Sequence, residues 1–157
     1  RFDLSGMKGL YKGATALTDE AMGITGEFTS QLVVPFRNGV MIAIAVAYAD
    51  SIGASTVLYG AQQSDAAHYP DCREGFVKAF EEAARIGTDK NIRIVAPLIS
   101  LNKSRVLKLG KELGVPFEMT WSCYRGGNKH CGRCESCLNR KRAFGEAGMS
   151  DPTVYSE

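Results

Sequence analysis

Four cysteines within fifteen residues constrain the fold of this chain more than any other feature. They are Cys123, Cys131, Cys134 and Cys137 in the stretch CYRGGNKHCGRCESC, and Cys72 is the fifth cysteine of the sequence. Their spacing is C-x7-C-x2-C-x2-C, and two-residue spacers let neighbouring thiolates converge on one tetrahedral zinc ion without strain. We therefore expect a closed zinc site, which has no open position for a substrate and is structural.

The cellular context of these thiols follows from the rest of the chain. No positively charged start precedes an apolar stretch, and no run of eighteen apolar residues occurs. We therefore expect a cytoplasmic protein without a membrane span. Clustered cysteines in the cytosol more often hold metal than form disulfides, although free or redox-paired thiols are the alternative. His130 is a poor substitute ligand because it lies directly beside Cys131.

The basic residues around the cysteines allow a second interpretation, a nucleic-acid surface on a zinc module. Four thiolates around one Zn²⁺ leave a net negative charge, however, and nearby cations offset it. Aromatic residues that would stack on bases are not interleaved with the cations. We favour charge compensation as the role of these residues, which are Arg125, Lys129, Arg133, Arg140, Lys141 and Arg142.

The remaining chain alternates helical and strand patterns, and its 157 residues are enough for about one domain. This alternation predicts an α/β fold, a parallel sheet with helices on both faces. The predicted helices are Asn38–Ile52, Asp71–Arg85, Asn102–Leu113 and Cys134–Ala147, and the predicted strands are Ser55–Tyr59 and Ile92–Ala96.

A polar segment, GAQQSDAAHYPDCR, follows the first predicted strand, where open α/β sheets bind ligands. Its alternative interpretation is a solvated loop in which Asp71 and Glu74 cap the next helix. Cys72 falls at the start of that helix, where a thiolate is stabilised, so that a nucleophile is conceivable. No general base is evident beside Cys72, which disfavours that role.

Three motifs, in chain order, resemble the 7-cyano-7-deazaguanine synthase family, also called the preQ0 synthase or QueC family. They are VPFRN (Val34–Asn38), YPDCREGFVKAF (Tyr69–Phe80) and WSCYRGGNKHCGRCESC (Trp121–Cys137). The likeness extends to ALTDE (Ala16–Glu20) and LNKSRVLKLGKELGV (Leu101–Val115), and thus spans essentially the whole chain.

The resemblance implies an ATP-dependent ligase with the fold of the PP-loop ATPases, the adenine nucleotide alpha-hydrolase-like fold. Such a ligase converts 7-carboxy-7-deazaguanine and ammonia to the nitrile preQ0, on the route to queuosine or archaeosine. The resemblance also implies ATP with Mg²⁺ as a substrate and one structural zinc on the four cysteines. We expect an α/β domain at 1–120 and a zinc-binding helical segment at 121–157.

The resemblance also implies roles for individual residues. Arg37 and Lys103 are the candidate catalytic and ATP-binding cations, because negative charge develops on phosphates during adenylation. A surface ion pair is the alternative for each of them. Asp65 or Asp71 would accept hydrogen bonds from the guanine-like edge of the substrate, and Tyr69 would stack on its ring. The complete set of substrate-binding candidates is Gly60, Asp65, Tyr69, Asp71 and Arg73.

The chain departs from the family in two places. Phe36 stands in VPFRN where the family typically has Gly, so that the local turn is expected to differ. The family's first strand and SGGxDS phosphate loop have no counterpart between Arg1 and Glu157. We therefore expect a fragment that neither binds ATP tightly nor forms preQ0 by itself.

Two other functions are left open. One is a zinc-stabilised module that binds tRNA or acts as a scaffold, and the other is a related ligase that makes the same amide or nitrile on another substrate. For the favoured function we expect small-molecule substrates only, without direct contact to nucleic acid or membrane, and a homodimer is allowed.

Overall fold

The structure is a computed structural model that describes residues 3–156. Arg1, Phe2 and Glu157, which the predicted domain bounds include, lie outside the described residues. The side chain of Glu20, the last residue of the ALTDE motif, lies outside them as well.

The chain forms two compact units. The sheet unit is Phe36–Val106, and the cysteine unit joins the described residues up to Pro35 to those from Leu107 onward. This division differs from the predicted boundary after residue 120. The difference arises because early residues help to hold the cysteine segment: the Glu135 N–H donates to the carbonyl of Thr25 at 3.0 Å.

The predicted helices and strands are present, with shifts of up to three residues at their ends. In the sheet unit they are α1 (Arg37–Ile52), β1 (Thr56–Leu58), α2 (Glu74–Gly87) and β2 (Arg93–Val95). Two further helices follow, α3 (Lys103–Glu112) and α4 (Glu135–Ala147). The largest shift is at α2, which begins three residues after the predicted Asp71.

The two strands form a parallel sheet, as predicted, with Val57 opposite Ile94. α2 connects them, which is the crossover that a parallel pair requires. Val57 and Ile94 point to a buried face, whereas Leu58 on the other face is 75% exposed. In the part of the chain that the structure describes, α1 and α2 both pack against the buried face, so that helices on the second face stay a prediction.

The core of the sheet unit is apolar throughout. Its buried side chains come from α1, the two strands, α2 and the residue before β2, and they are Ile42, Val46, Ala49, Val57, Val77, Ala84, Ile92 and Ile94. Burying this set supplies the main stabilising free energy of the unit. The core thus joins both strands to α1 and α2.

The segment Ser30–Ile52, which includes α1, is long and apolar enough to cross a membrane by length and composition. The sequence interpretation did not identify this segment, because it looked for an unbroken run of eighteen apolar residues and the segment contains polar ones. The core helix of a soluble protein satisfies the same criterion. α1 buries Ile42, Val46 and Ala49 among residues of the sheet and α2, so that packing accounts for its apolar character.

Candidate functional site

The loops that follow β1 and β2 are joined at the carboxyl ends of the two strands. The Gln63 N–H donates to the carbonyl of Leu101 at 2.9 Å. The backbone N–H of Lys103, the first residue of α3, donates to Ser64 Oγ at 3.3 Å. This is the edge at which open α/β sheets bind ligands, and the predicted polar segment lies there.

Asp65 lies within this edge, among the predicted cations. Its Oδ1 accepts a hydrogen bond from Gln62 Nε2 at 3.0 Å. Burial raises the pKa of the Asp65 carboxyl, while the charge of Lys103, the Gln62 hydrogen bond and the charge of Arg37 act to lower it. Asp65 therefore lies close enough to Lys103 and Arg37 for both positive charges to act on its carboxyl.

Asp71 has a different environment from Asp65. It is buried, and its Oδ2 accepts the backbone N–H of Asn38 at 3.0 Å, in the first turn of α1. This hydrogen bond satisfies one of the N–H groups that a helix start leaves without a partner. The sequence interpretation had Asp71 capping α2; that was wrong, because α2 begins at Glu74 and Asp71 caps α1 instead.

Cys72 is the centre of a small buried network. Its Sγ accepts a hydrogen bond from Asn38 Nδ2 at 3.4 Å and lies 3.3 Å from the Tyr59 hydroxyl. That hydroxyl also lies 3.0 Å from the carbonyl of Asp71, to which it donates. Burial raises the pKa of the Cys72 thiol and of the Tyr59 hydroxyl. Cys72 is thus a protonated thiol at neutral pH, which argues against the nucleophile alternative.

The other predicted substrate-binding residues line the same loop. Gly60 lies two residues after the end of β1 and is exposed, with open space where a side chain would be. Arg73 Nε donates to the carbonyl of Ala66 at 3.0 Å, so that Arg73 braces the loop from within. Tyr69 is half-buried, and its N–H donates to the carbonyl of Asp65 at 2.8 Å. The loop is therefore held by its own contacts before any ligand binds.

Sequence reasoning missed two residues of this site, Asn38 and Tyr59. Asn38 is the polar residue in the first turn of an otherwise apolar helix, and Tyr59 is the last residue of a strand pattern. Both positions could have signalled polar contacts at the edge of the sheet. Neither pattern indicates Cys72 as the common partner, because Tyr59 lies 13 positions and Asn38 lies 34 positions from Cys72 in the sequence.

The second site is the cluster of four cysteines in the cysteine unit. The sulfur atoms of Cys123, Cys131, Cys134 and Cys137 all lie within 4.8 Å of one another. Four thiolates on one tetrahedral Zn²⁺ lie about 3.8 Å apart, given Zn–S bonds of about 2.3 Å. The arrangement therefore fits a single metal ion, and no disulfide joins these cysteines in the described residues.

Backbone N–H groups donate hydrogen bonds to at least two of the four sulfurs. The Cys134 N–H donates to Cys131 Sγ, and the Cys131 N–H donates to Cys123 Sγ, each at 3.3 Å. Burial acts to raise the pKa of the Cys131 thiol, but backbone hydrogen bonds from Arg133 and Cys134 outweigh it and lower this pKa to about 6. The lowered pKa favours the thiolate form of Cys131, which is the form that binds metal.

Polar side chains beside the cysteine cluster form hydrogen bonds with the backbone. His130 is buried, and its Nε2 accepts the N–H of Ser122 at 2.9 Å, which agrees with its exclusion as a ligand. Lys141 Nζ donates to the carbonyl of Gly132 at 3.1 Å, between two of the cysteines. Arg125 donates to the carbonyl of Ile24 at 2.6 Å. At least these two cations are engaged in structural contacts.

Comparisons with known proteins agree on one family. The model of the family described as queuosine biosynthesis protein QueC matches residues 2–148. A 7-cyano-7-deazaguanine synthase of Nostoc punctiforme is 43% identical over 157 residues, covering 92% of this chain and 70% of the relative.

Two other relatives carry the same name. The 7-cyano-7-deazaguanine synthase of Chlorobium phaeobacteroides is 43% identical, covering 92% of this chain and 67% of its own length. That of Methanobrevibacter smithii is 44% identical, covering 87% of this chain and 60% of its own length. The three relatives thus share one printed name and similar identity to this chain.

Proposed function

Because the chain belongs to the QueC family, whose relatives are enzymes named 7-cyano-7-deazaguanine synthase, we propose that it serves the synthesis of preQ0. In this proposal the enzyme converts 7-carboxy-7-deazaguanine and ammonia to the nitrile at the expense of ATP with Mg²⁺. It works in the cytoplasm on small molecules, without direct contact to nucleic acid, and the four cysteines hold a structural zinc. The observation that supports the site most directly is the shared environment of Asp65, Lys103 and Arg37.

The proposed chemistry needs two activations. A carboxylate is a poor electrophile, so ATP first adenylates it and releases pyrophosphate. Ammonia attacks the acyl carbon, AMP leaves, and the amide forms with loss of a proton. A second ATP adenylates the amide oxygen, again releasing pyrophosphate. Loss of AMP and a proton then leaves the carbon–nitrogen triple bond of the nitrile.

Arg37 and Lys103 suit the phosphate side of both activations. Each is the first residue of a helix, α1 and α3 respectively, where backbone N–H groups also favour anions. Negative charge builds on the phosphate oxygens as each adenylate forms and departs. Two cations held at the edge of the sheet stabilise that charge without reorganising, which lowers the barrier.

Asp65 suits the recognition of the heterocycle better than Asp71 does. The guanine-like edge of the substrate presents an amine and a ring N–H, and a carboxylate can accept both. Asp71 is already committed to the N–H of Asn38, whereas Asp65 is half-buried and held by Gln62 through one oxygen. We propose that Asp65 accepts hydrogen bonds from the guanine-like edge of the substrate and that Tyr69 stacks on the substrate ring. The exposed backbone at Gly60 lets the ligand approach closely.

The test measures substrate-dependent AMP release and nitrile formation by the natural protein that contains this chain. Lys103→Ala should lower turnover by about a hundredfold or more, because a preorganised charge is lost from the transition state. Lys111→Ala, an exposed lysine near the other end of α3, is the matched control and should leave turnover unchanged. Normal turnover in Lys103→Ala would contradict the proposed role of Lys103 in phosphate binding and favour the surface ion pair instead. AMP release without the carboxylated substrate would contradict the proposed reaction.

A further inference from the structure

The chain after α4 folds back onto the four-cysteine cluster. We call this stretch, Asp151–Ser156, the tail segment. The Ser156 N–H donates to the carbonyl of His130 at 2.8 Å, and the His130 N–H donates to the carbonyl of Val154 at 3.3 Å. Because His130 directly precedes Cys131, these two hydrogen bonds tie the tail segment to the backbone that carries a ligand.

The tail segment also covers the cluster with a side chain. Tyr155 packs against the buried cysteines, and its ring lies beside that of His130, with centroids 5.8 Å apart. Lys141 Nζ lies 4.2 Å from the centre of the Tyr155 ring and donates to the carbonyl of Gly132. The residues on both sides of Cys131 are thus held under Tyr155 and its partners. Cys131 is also the least buried of the four ligands.

A buried ion pair fixes the direction of the tail segment. Arg140, three residues after Cys137, is 4% exposed, and its Nε lies 3.1 and 3.2 Å from the two carboxylate oxygens of Asp151. Asp151 also accepts the Tyr155 hydroxyl at 2.5 Å and the N–H of Thr153 at 3.1 Å. A continuous path of contacts therefore runs from the helix that carries Cys137 to the ring over the cluster.

The guanidinium of Arg140 has further partners that hold it in place. Its Nη1 donates to Thr120 Oγ1 at 2.7 Å and its Nη2 to the carbonyl of Phe117 at 3.1 Å. Its plane also approaches the Phe144 ring, at 4.9 Å from the centroid. Arg140 is thus fully engaged by the protein, and this rules it out as part of an accessible basic surface.

From these contacts we propose that the tail segment is a clasp over the four-cysteine site, and that Arg140, Asp151 and Tyr155 are positioning residues that slow the escape of its metal. A thiolate site loses metal when a competing ligand reaches one sulfur and opens the tetrahedron. The clasp holds the least buried ligand, Cys131, from both sides and denies that access. The inference rests on the proposed zinc site, and it concerns retention of the metal rather than the ligand set.

The experiment loads the full chain with zinc and follows its release to an excess of the chromogenic chelator 4-(2-pyridylazo)resorcinol. Tyr155→Ala should bind one zinc and release it about tenfold faster or more, the scale on which residues that support metal ligands act. Asp151→Asn should also accelerate release, and Tyr155→Phe should lie between the parent and Tyr155→Ala because it keeps the ring. Val154→Ala and Arg142→Ala, at exposed positions of the tail segment and of α4, are the controls and should match the parent.

A second readout separates a clasp from a damaged site. Cobalt-loaded Tyr155→Ala should keep the absorption spectrum of a tetrahedral four-thiolate site, because the ligands are unchanged while their cover is lost. Release at the parent's rate in Tyr155→Ala and Asp151→Asn would overturn the clasp. Failure of the parent chain to bind zinc at all would instead overturn the proposed metal site. If Tyr155→Ala does not fold, Asp151→Asn and Tyr155→Phe decide the question by the same two measurements.

Discussion

At the scale of single residues, two aspartates six positions apart in one loop have different environments. Asp71 is buried and caps a helix, while Asp65 is half-buried beside Lys103 and Arg37. Removing a carboxylate that accepts a buried backbone N–H leaves that N–H without a partner, which costs folding free energy. A carboxylate that is desolvated near cations is instead available to bind a ligand. The comparison indicates that Asp65→Asn affects function and Asp71→Ala affects folding.

We predict that Asp65→Asn reduces preQ0 formation by about a hundredfold or more, because an amide presents donors to an edge that itself donates. Michaelis–Menten kinetics of the natural protein measure this loss. Asp89→Asn, at an exposed loop position, is the control and should retain turnover. Near-parental kinetics of Asp65→Asn would remove Asp65 from the recognition of the base.

The same substitution has a predicted effect on stability. The pKa of Asp65 is raised on folding because burial disfavours the charged form. A raised pKa contributes stability that is fully present below the unfolded pKa, about 3.9, and is lost as pH rises through the folded pKa. The stability of Asp65→Asn relative to the parent should therefore increase as pH rises from about 4 towards neutrality. Urea denaturation at several pH values checks the sign, and an opposite trend would mean that Lys103 and Arg37 outweigh burial.

Phe36 stands where the resemblance leads us to expect glycine, and its backbone has a conformation that favours glycine. Phe36 has φ 54°, a left-handed conformation that glycine adopts without strain, and its ring lies over Gly39. Both variants lose the ring contacts, but only alanine keeps the backbone strain, so we predict that Phe36→Gly is more stable than Phe36→Ala by about 1 kcal/mol. The midpoints of urea denaturation compare the two variants. Equal midpoints would show that the strained conformation relaxes.

At the scale of elements, the start of α1 depends on a residue from a distant loop. Asp71 accepts the N–H of Asn38 within a buried network, so that the sequence immediately before α1 does not cap it. We predict that Asp71→Ala lowers the free energy of unfolding by about 1–3 kcal/mol, the cost of leaving a buried donor without a partner. Chemical denaturation measures the change. Glu74→Ala, which removes an exposed ion pair with Lys78, should have no measurable effect.

At the scale of the whole molecule, the two compact units have separate hydrophobic clusters, one around the sheet and one around the cysteines. Removing a structural zinc should therefore unfold the cysteine unit first, because metal binding supplies folding free energy there. We predict that chelation increases amide hydrogen exchange in α4 while α1 and α2 stay protected. Mass spectrometry of the peptides from each helix measures this. Equal loss of protection in α1 would show that the units unfold together.

The metal content of the chain is a further prediction at this scale. We predict one zinc per chain by elemental analysis, and loss of that zinc in Cys134→Ser, because Cys134 is fully buried in the cluster. Cys72→Ser is the matched control, since Cys72 belongs to the sheet unit and lies in a different network. Zinc that persists in Cys134→Ser would contradict the four-cysteine assignment.

The sequence by itself determined the features that depend on local pattern. Apolar periodicity predicted the four α-helices and two strands of the described residues, and cysteine spacing predicted the four-cysteine cluster, because both signals lie within short stretches of chain. Three motifs identified the family, and the comparisons confirmed it. The edge of the parallel sheet was also predictable, since parallel strands place their following loops together.

Only the tertiary structure decided which polar side chains are engaged in structural hydrogen bonds and ion pairs. Asp71 was expected to cap the nearby α2 but caps α1, whose Asn38 lies 33 positions away. Arg140 was expected to offset the charge of the thiolates, and the structure pairs it instead with Asp151 in a buried ion pair. A hydrogen-bond partner distant in sequence leaves no periodic signal, because long-range contacts are chosen by the packing of the elements that carry them. Residue types and spacing therefore predicted the helices, the strands and the cysteine cluster, and the fold decided which polar side chains are already used in structural contacts.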